Sequence, residues 1–140
     1  MQKAIIVSGY FNPLHVGHLE LFEKARAAGD GLIVIINSDL QRKLKGSKEF
    51  MKEEERVTIV DSIKNVDYTI LSIDKDQTQV KTLEYLHKIM SESVKLAFAN
   101  GGDQNNKSIP EAKICKKLGI ELLDGLGDKI QSSSWLLDKK

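Results

Sequence analysis

His15 and His18 are the residues of this chain best placed to do chemistry. They stand three positions apart in the stretch Ser8–His18, S-G-Y-F-N-P-L-H-V-G-H, so both can face the same side of a first helical turn. A short apolar run, Ala4–Val7, precedes the stretch, and Leu19, Phe22 and Ala25 follow it at helical spacing. The context is strand, glycine-containing turn, helix. Such a junction aims free backbone N–H groups and the positive end of a helix dipole at one point, which suits a phosphate. Gly9 adds close approach of the backbone to a ligand, because no Cβ intervenes. A zinc site fits poorly: the single cysteine is Cys115, and Ser8 and Asn12 are weak zinc ligands. The bland alternative is a capped helix carrying two surface histidines.

The elements that must position these residues alternate along the chain. Ala4–Val7 reads as a strand buried on both faces. The helix after His15 runs to about Ala28, with Gly29 as its stop. Leu32–Ile36, apolar throughout and rich in β-branched residues, is the strongest strand and ends in Asn37-Ser38-Asp39. Gln41–Met51 lacks periodicity and carries Arg42, Lys43, Lys45 and Lys48 around Gly46, the composition of a flexible basic loop. Lys52–Lys64 is expected to be helical, with Glu53–Glu55 at its N-terminal end and Val57, Val60 and Ile63 as its stripe. Tyr68–Ile73 is a third strand, and Val80, Leu83, Leu86 and Met90 mark a helix. Val94–Ala99 is a fourth strand that runs into Asn100-Gly101-Gly102-Asp103. Ser108-Ile109-Pro110-Glu111 has the form of a capping box, opening a helix with Ile114 and Leu118 inward that stops at Gly119. Ile120–Leu123 is a fifth strand, and Ser132–Ser134 could cap a last helix bearing Trp135, Leu136 and Leu137.

Strands and helices alternating at this spacing imply parallel βαβ units: an α/β fold with one Rossmann-like, doubly wound, five-stranded parallel sheet spanning residues 1–140. The right-handed crossover rule and the glycine turns give the strand order 3-2-1-4-5. Ligands of such folds bind beyond the carboxyl ends of the strands, where the order reverses. The distinctive segments Gly9–His18, Asn37–Asp39 and Asn100–Asp103 all follow strands. The first turn has no G-x-G-x-x-G, which disfavours a dinucleotide site.

In G-Y-F-N-P-L-H-V-G-H, the residues Gly9, Phe11, Asn12, His15, Gly17 and His18 match G-x-F-[DN]-x-x-H-x-G-H. That pattern resembles the first signature of the cytidylyltransferase-like nucleotidyltransferases. The resemblance implies attack by a substrate phosphate oxygen on the α-phosphorus of a nucleoside triphosphate, with pyrophosphate leaving. His15 and His18 would be catalytic, joined by Lys43 and Lys45, which resemble phosphate-binding lysines after the second strand. Gly9, Tyr10, Phe11, Asn12 and Gly17 would line the nucleotide site. Arg56 matches an E-x-R element of several relatives, and Gly101, Gly102 and Asp103 resemble their glycine-aspartate turn. Ser132, Ser133 and Ser134 resemble the final serine signature, although Gln131 and Trp135 depart from it.

In length the chain is similar to glycerol-3-phosphate cytidylyltransferases. In wording (N-S-D, L-K-G, G-G-D) it is as similar to the adenylyltransferase domain that forms ADP-heptose. It also resembles FAD synthetases and nicotinate mononucleotide adenylyltransferases. The favoured expectation is transfer of CMP from CTP to a small phosphate or phosphonate such as glycerol 3-phosphate, with an ATP-using enzyme as alternative. A nucleotide-sensing module that binds without turnover is the non-enzyme alternative. Magnesium would arrive on the triphosphate, with no metal held by the protein's own side chains. A homodimer is expected from the resemblance and the base rate.

Composition fits a globular domain: 41% hydrophobic and 29% charged residues among 140. A net charge of +1 argues against general nucleic-acid binding, which needs a sustained basic surface. One cysteine forbids an internal disulfide and fits a reducing, cytoplasmic compartment; Cys115 reads as a buried structural residue. No run approaches membrane-spanning length, and the N-terminus does not read as a signal peptide.

Overall fold

The computed structural model describes residues 2–99 and 109–123. Within them the chain runs β1 (Lys3–Gly9), α1 (Val16–Ala27), β2 (Gly31–Ile36), α2 (Asp39–Lys45) and α3 (Glu53–Asp61). It continues through β3 (Tyr68–Leu71), α4 (Val80–Met90), β4 (Lys95–Ala99), α5 (Glu111–Leu118) and β5 (Glu121–Leu123). The five strands form one parallel sheet in the order β3-β2-β1-β4-β5, as the crossover rule requires. The strand order reverses between β1 and β4, so the crevice at their carboxyl ends is the natural place for a ligand.

The continuous apolar runs are explained by cover on both faces. Alternate residues of the central strands feed two separate cores. Ala4, Ile6, Ile33 and Ile35 pack with Leu83, Leu86, Ile114 and Cys115 under α4 and α5. Ile5, Val7, Leu32, Val34 and Ile36 pack with Phe22, Ala25 and Val60 under α1 and α3. Burial pushes the Cys115 thiol up to about 12, with the Glu111 carboxylate adding to it. The thiol is therefore protonated and inert at neutral pH.

Two expectations need correction. The supposed loop after β2 begins as a helix, α2, with Ser38 as N-cap in a reciprocal capping box. Gln41 N–H donates to the Ser38 hydroxyl at 3.2 Å, and the Gln41 carboxamide oxygen accepts from Ser38 N–H at 2.9 Å. Gly46 ends this helix in the left-handed region at φ 80°. The second correction concerns α5, which starts at Glu111 with Pro110 in the cap position and no side-chain cap. The Glu111 carboxylate instead accepts from Gln79 N–H at the start of α4, at 2.8 Å. Ser108 and the last helix expected around Trp135 lie outside the described residues.

Candidate active site

The carboxyl end of β1 leads straight into the two histidines, and each histidine holds the other. His15 is the N-cap of α1, and its Nδ1 accepts from Gly17 N–H at 3.0 Å. His18 is the third helical residue, and its Nδ1 accepts from His15 N–H at 3.0 Å. This is a capping box in which imidazoles replace the usual hydroxyl and carboxylate. The rings lie 3.9 Å apart between centroids at 30°.

The box fixes the chemistry of both side chains. A ring nitrogen that accepts a backbone N–H carries no proton, so each neutral imidazole holds its proton on Nε2. Both residues thus present an N–H donor on the ring edge opposite the helix backbone. Burial, with the neighbouring His15 second, lowers the pKa of His18 to about 4, so it is neutral at pH 7. The expectation of free backbone amides at this helix start changes accordingly. Gly17 N–H is taken by an imidazole, and His18 and Leu19 N–H turn to the His15 carbonyl. The donors left for an anion among the described residues are Val16 N–H and the two Nε2–H groups, backed by the helix dipole.

Phe11 supports this pair from below. Its ring is buried and meets His18 edge-on, 4.9 Å between centroids at 77°. Its backbone adopts φ 52°, a left-handed conformation uncommon for an aromatic residue and a form of strain found at functional turns. Gly9 makes room for it: a Cβ there would lie 2.8 Å from the Phe11 ring. Gly9 is therefore required by packing inside the turn.

Arg56 is a further correction. Its side chain is 0% exposed, which removes it as a direct nucleotide contact. The guanidinium donates to the carbonyls of Met51 (3.0 Å), Tyr10 (2.8 Å) and Asn37 (2.6 Å), and to the Asp39 carboxylate at 2.7 Å. It thereby ties the ends of β1 and β2 to the segment before α3. Asp39 is held further by Glu53, whose N–H donates to its carboxylate at 3.3 Å while the Glu53 carboxylate accepts Asp39 N–H at 2.8 Å. Asn12 is likewise engaged within the protein: its side-chain amide bonds Lys48, Phe50 and Met51 main-chain groups.

Of the two lysines, Lys45 reaches the turn, with Nζ 4.4 Å above the Tyr10 ring centroid. Lys43 is exposed on α2. Tyr10 is partly buried, and its phenol pKa is raised by that burial, with Arg56 opposing. Gly101, Gly102, Asp103, Ser132, Ser133 and Ser134 lie outside the described residues. Among the described residues, no three His, Cys, Asp or Glu side chains converge on a metal-sized space, and no helix is long and apolar enough to cross a membrane. Sequence reasoning missed the buried hub of Arg56, Asn37 and Met51. It also missed Gln41, whose S-x-x-Q spacing from Ser38 was the available signal.

A parallel sheet with paired donors at its reversal point defines a class of proteins that bind phosphorylated nucleotides. Residues 6–122 match the family model described as cytidylyltransferase-like, and the chain belongs to that nucleotidyltransferase family. Among similar curated proteins is the bifunctional protein HldE of Citrifermentans bemidjiense, 31% identical over 99% of this chain and 27% of that protein. HldE of Helicobacter pylori strain 26695 is 32% identical over 83% of this chain and 24% of its own length. The chain thus spans about a quarter of the curated relatives it matches. A solved structure, the lipopolysaccharide core biosynthesis protein from Thermoplasma volcanium, shares the fold with TM-score 0.70. It is 22% identical, over 89% of this chain and 96% of that one.

Proposed function

We propose that this chain transfers AMP from ATP, bound as its magnesium complex, to the phosphate group of a sugar phosphate, releasing pyrophosphate. The general reaction class is that of the family; the choice of ATP and of a heptose-type phosphate rests on the similarity to HldE. That similarity favours adenylyl over the expected cytidylyl transfer and supports a sugar phosphate over glycerol 3-phosphate.

The observation that carries the chemistry is the reciprocally capped histidine pair with both protons on Nε2. A phosphate monoester has its second pKa near ~6, so much of it is dianionic at pH 7 and needs no strong base. An acceptor oxygen forms the new bond to the α-phosphorus as the bond to the bridging oxygen of pyrophosphate breaks. Charge grows on the oxygens around phosphorus, and two fixed N–H donors stabilise it there without reorganising. Neutral imidazoles suit the task because they donate without adding net charge at the helix terminus. Lys45, and with it Lys43, supplies positive charge that aligns the two anions. The segments Gly101–Asp103 and Ser132–Ser134 take the nucleotide.

The test is a pyrophosphate-release screen crossing ATP, CTP, GTP and UTP with heptose 1-phosphate, other sugar phosphates, glycerol 3-phosphate, FMN and nicotinate mononucleotide. Release confined to ATP with a sugar phosphate is the expected result. Preference for CTP with glycerol 3-phosphate would overturn the proposal.

A further inference from the structure

We propose that Asn12 is a positioning residue for the lysine-bearing arm: its carboxamide docks the segment after α2 onto the histidine turn and so sets where Lys45 stands. The proposal rests on nucleotidyl transfer as read above. Asn12 Oδ1 accepts from Phe50 N–H and Met51 N–H, both at 2.9 Å, and Nδ2 donates to the Lys48 carbonyl at 2.7 Å. One amide therefore satisfies three main-chain groups of a segment 36 to 39 residues further along the chain. Lys48–Met51 belongs to no helix or strand, so no backbone ladder fixes it. Those bonds hold it to the turn.

The other end of the arm meets the same turn. Lys45, the last residue of α2, stands over the ring of Tyr10, two positions before Asn12. Between the two contacts, the Arg42 guanidinium donates to the Ser47 carbonyl at 2.6 Å and closes the end of α2. Lys45–Lys48 is thus tethered at both ends to Tyr10–Asn12, three residues before His15. The basic arm is thereby docked on the turn that leads into the histidine pair. The carboxamide is specific to this arrangement. A carboxylate at position 12 keeps both acceptances and loses the donor to Lys48, whose carbonyl it then repels.

The experiment compares wild type, Asn12→Ala and Asn12→Asp by site-resolved amide hydrogen exchange and by steady-state kinetics with ATP and the sugar phosphate that wild type turns over. In Asn12→Ala, the Phe50 and Met51 amides should exchange roughly tenfold faster or more. Because Lys45 aligns both anions, kcat should fall about tenfold in Asn12→Ala. Asn12→Asp should keep both amides protected and show a smaller fall in kcat. Unchanged exchange in Asn12→Ala would overturn the docking, and faster exchange with unchanged kcat would overturn the positioning role. Failure of wild type to release pyrophosphate with any pair would overturn the functional reading. Amide exchange would still decide the docking.

Discussion

Replacing His18 by alanine, with glutamine as the conservative control, should expose the two jobs of that residue. As third residue of α1, His18 accepts His15 N–H through Nδ1, which is a structural task, and it offers Nε2–H to a ligand, which is a chemical one. Glutamine performs the first task elsewhere in this chain: Gln41 holds the Ser38 N–H at 2.9 Å from the same helical position. His18→Gln should therefore keep the cap, whereas His18→Ala should lose it, at about 1 kcal/mol of stability. His18→Ala removes the donor from the place where charge develops, whereas His18→Gln still carries a carboxamide N–H that can donate, as Gln41 does to the Asp76 and Thr78 carbonyls. The loss of one such donor is worth ~3–4 kcal/mol, roughly a hundred- to thousand-fold in turnover. Urea denaturation followed by pyrophosphate release at saturating substrates reads the two effects independently. The expected pattern is near wild-type stability for His18→Gln, reduced stability for His18→Ala, and a collapse of kcat in His18→Ala that His18→Gln partly rescues. If His18→Ala retains more than about a tenth of wild-type kcat, the donor role is refuted. If the two variants are equally stable, the cap has been misread.

Two further outcomes follow from buried groups. The pKa of His18 is about 4 in the fold against an ordinary 6.5, so the unfolded chain binds its proton first as pH falls. The His18 contribution to stability is complete above about 6.5 and declines toward about 4; melting temperatures of wild type should fall across that window more than those of His18→Gln, and parallel curves would contradict it. Arg56→Met should cost about 3–5 kcal/mol in urea denaturation, because it strips a buried charge from Asp39 and leaves carbonyls without donors; a loss under ~1 kcal/mol would show that the hub contributes little.

The strands were legible because parallel sheets covered on both faces need unbroken apolar runs, and Leu32–Ile36 is such a run. The histidine spacing was legible for an equally local reason, since three residues make one turn. Arg56 was not. It follows Glu53–Glu55 and carries the composition of a solvated helix start, and its burial depends on carbonyls supplied by Tyr10 and Asn37. Nothing within its own window reports them. Gly9 was legible as a special position but for a different reason, because the ring that fills its missing Cβ comes from a left-handed residue two places on. The helix α2 was legible in S-x-x-Q, and its lysines obscured it by imitating a loop.

The Arg56 hub also has a consequence for the order in which the site comes into being. Its partners at Tyr10 and Asn37 lie 46 and 19 residues away along the chain. Closing loops of that span precedes any gain from the contacts, so the floor of the site forms only once β1, β2 and α3 have come together. The same arithmetic runs in reverse. An excursion in which α3 lifts from the sheet withdraws the guanidinium from β1 and β2 together and uncovers Val60, while the apolar core under α4 and α5 remains packed. Such a partly opened chain keeps most of its structure yet has no competent site. Activity should thus fade at lower denaturant than the sheet itself, with α3 as the first element to leave.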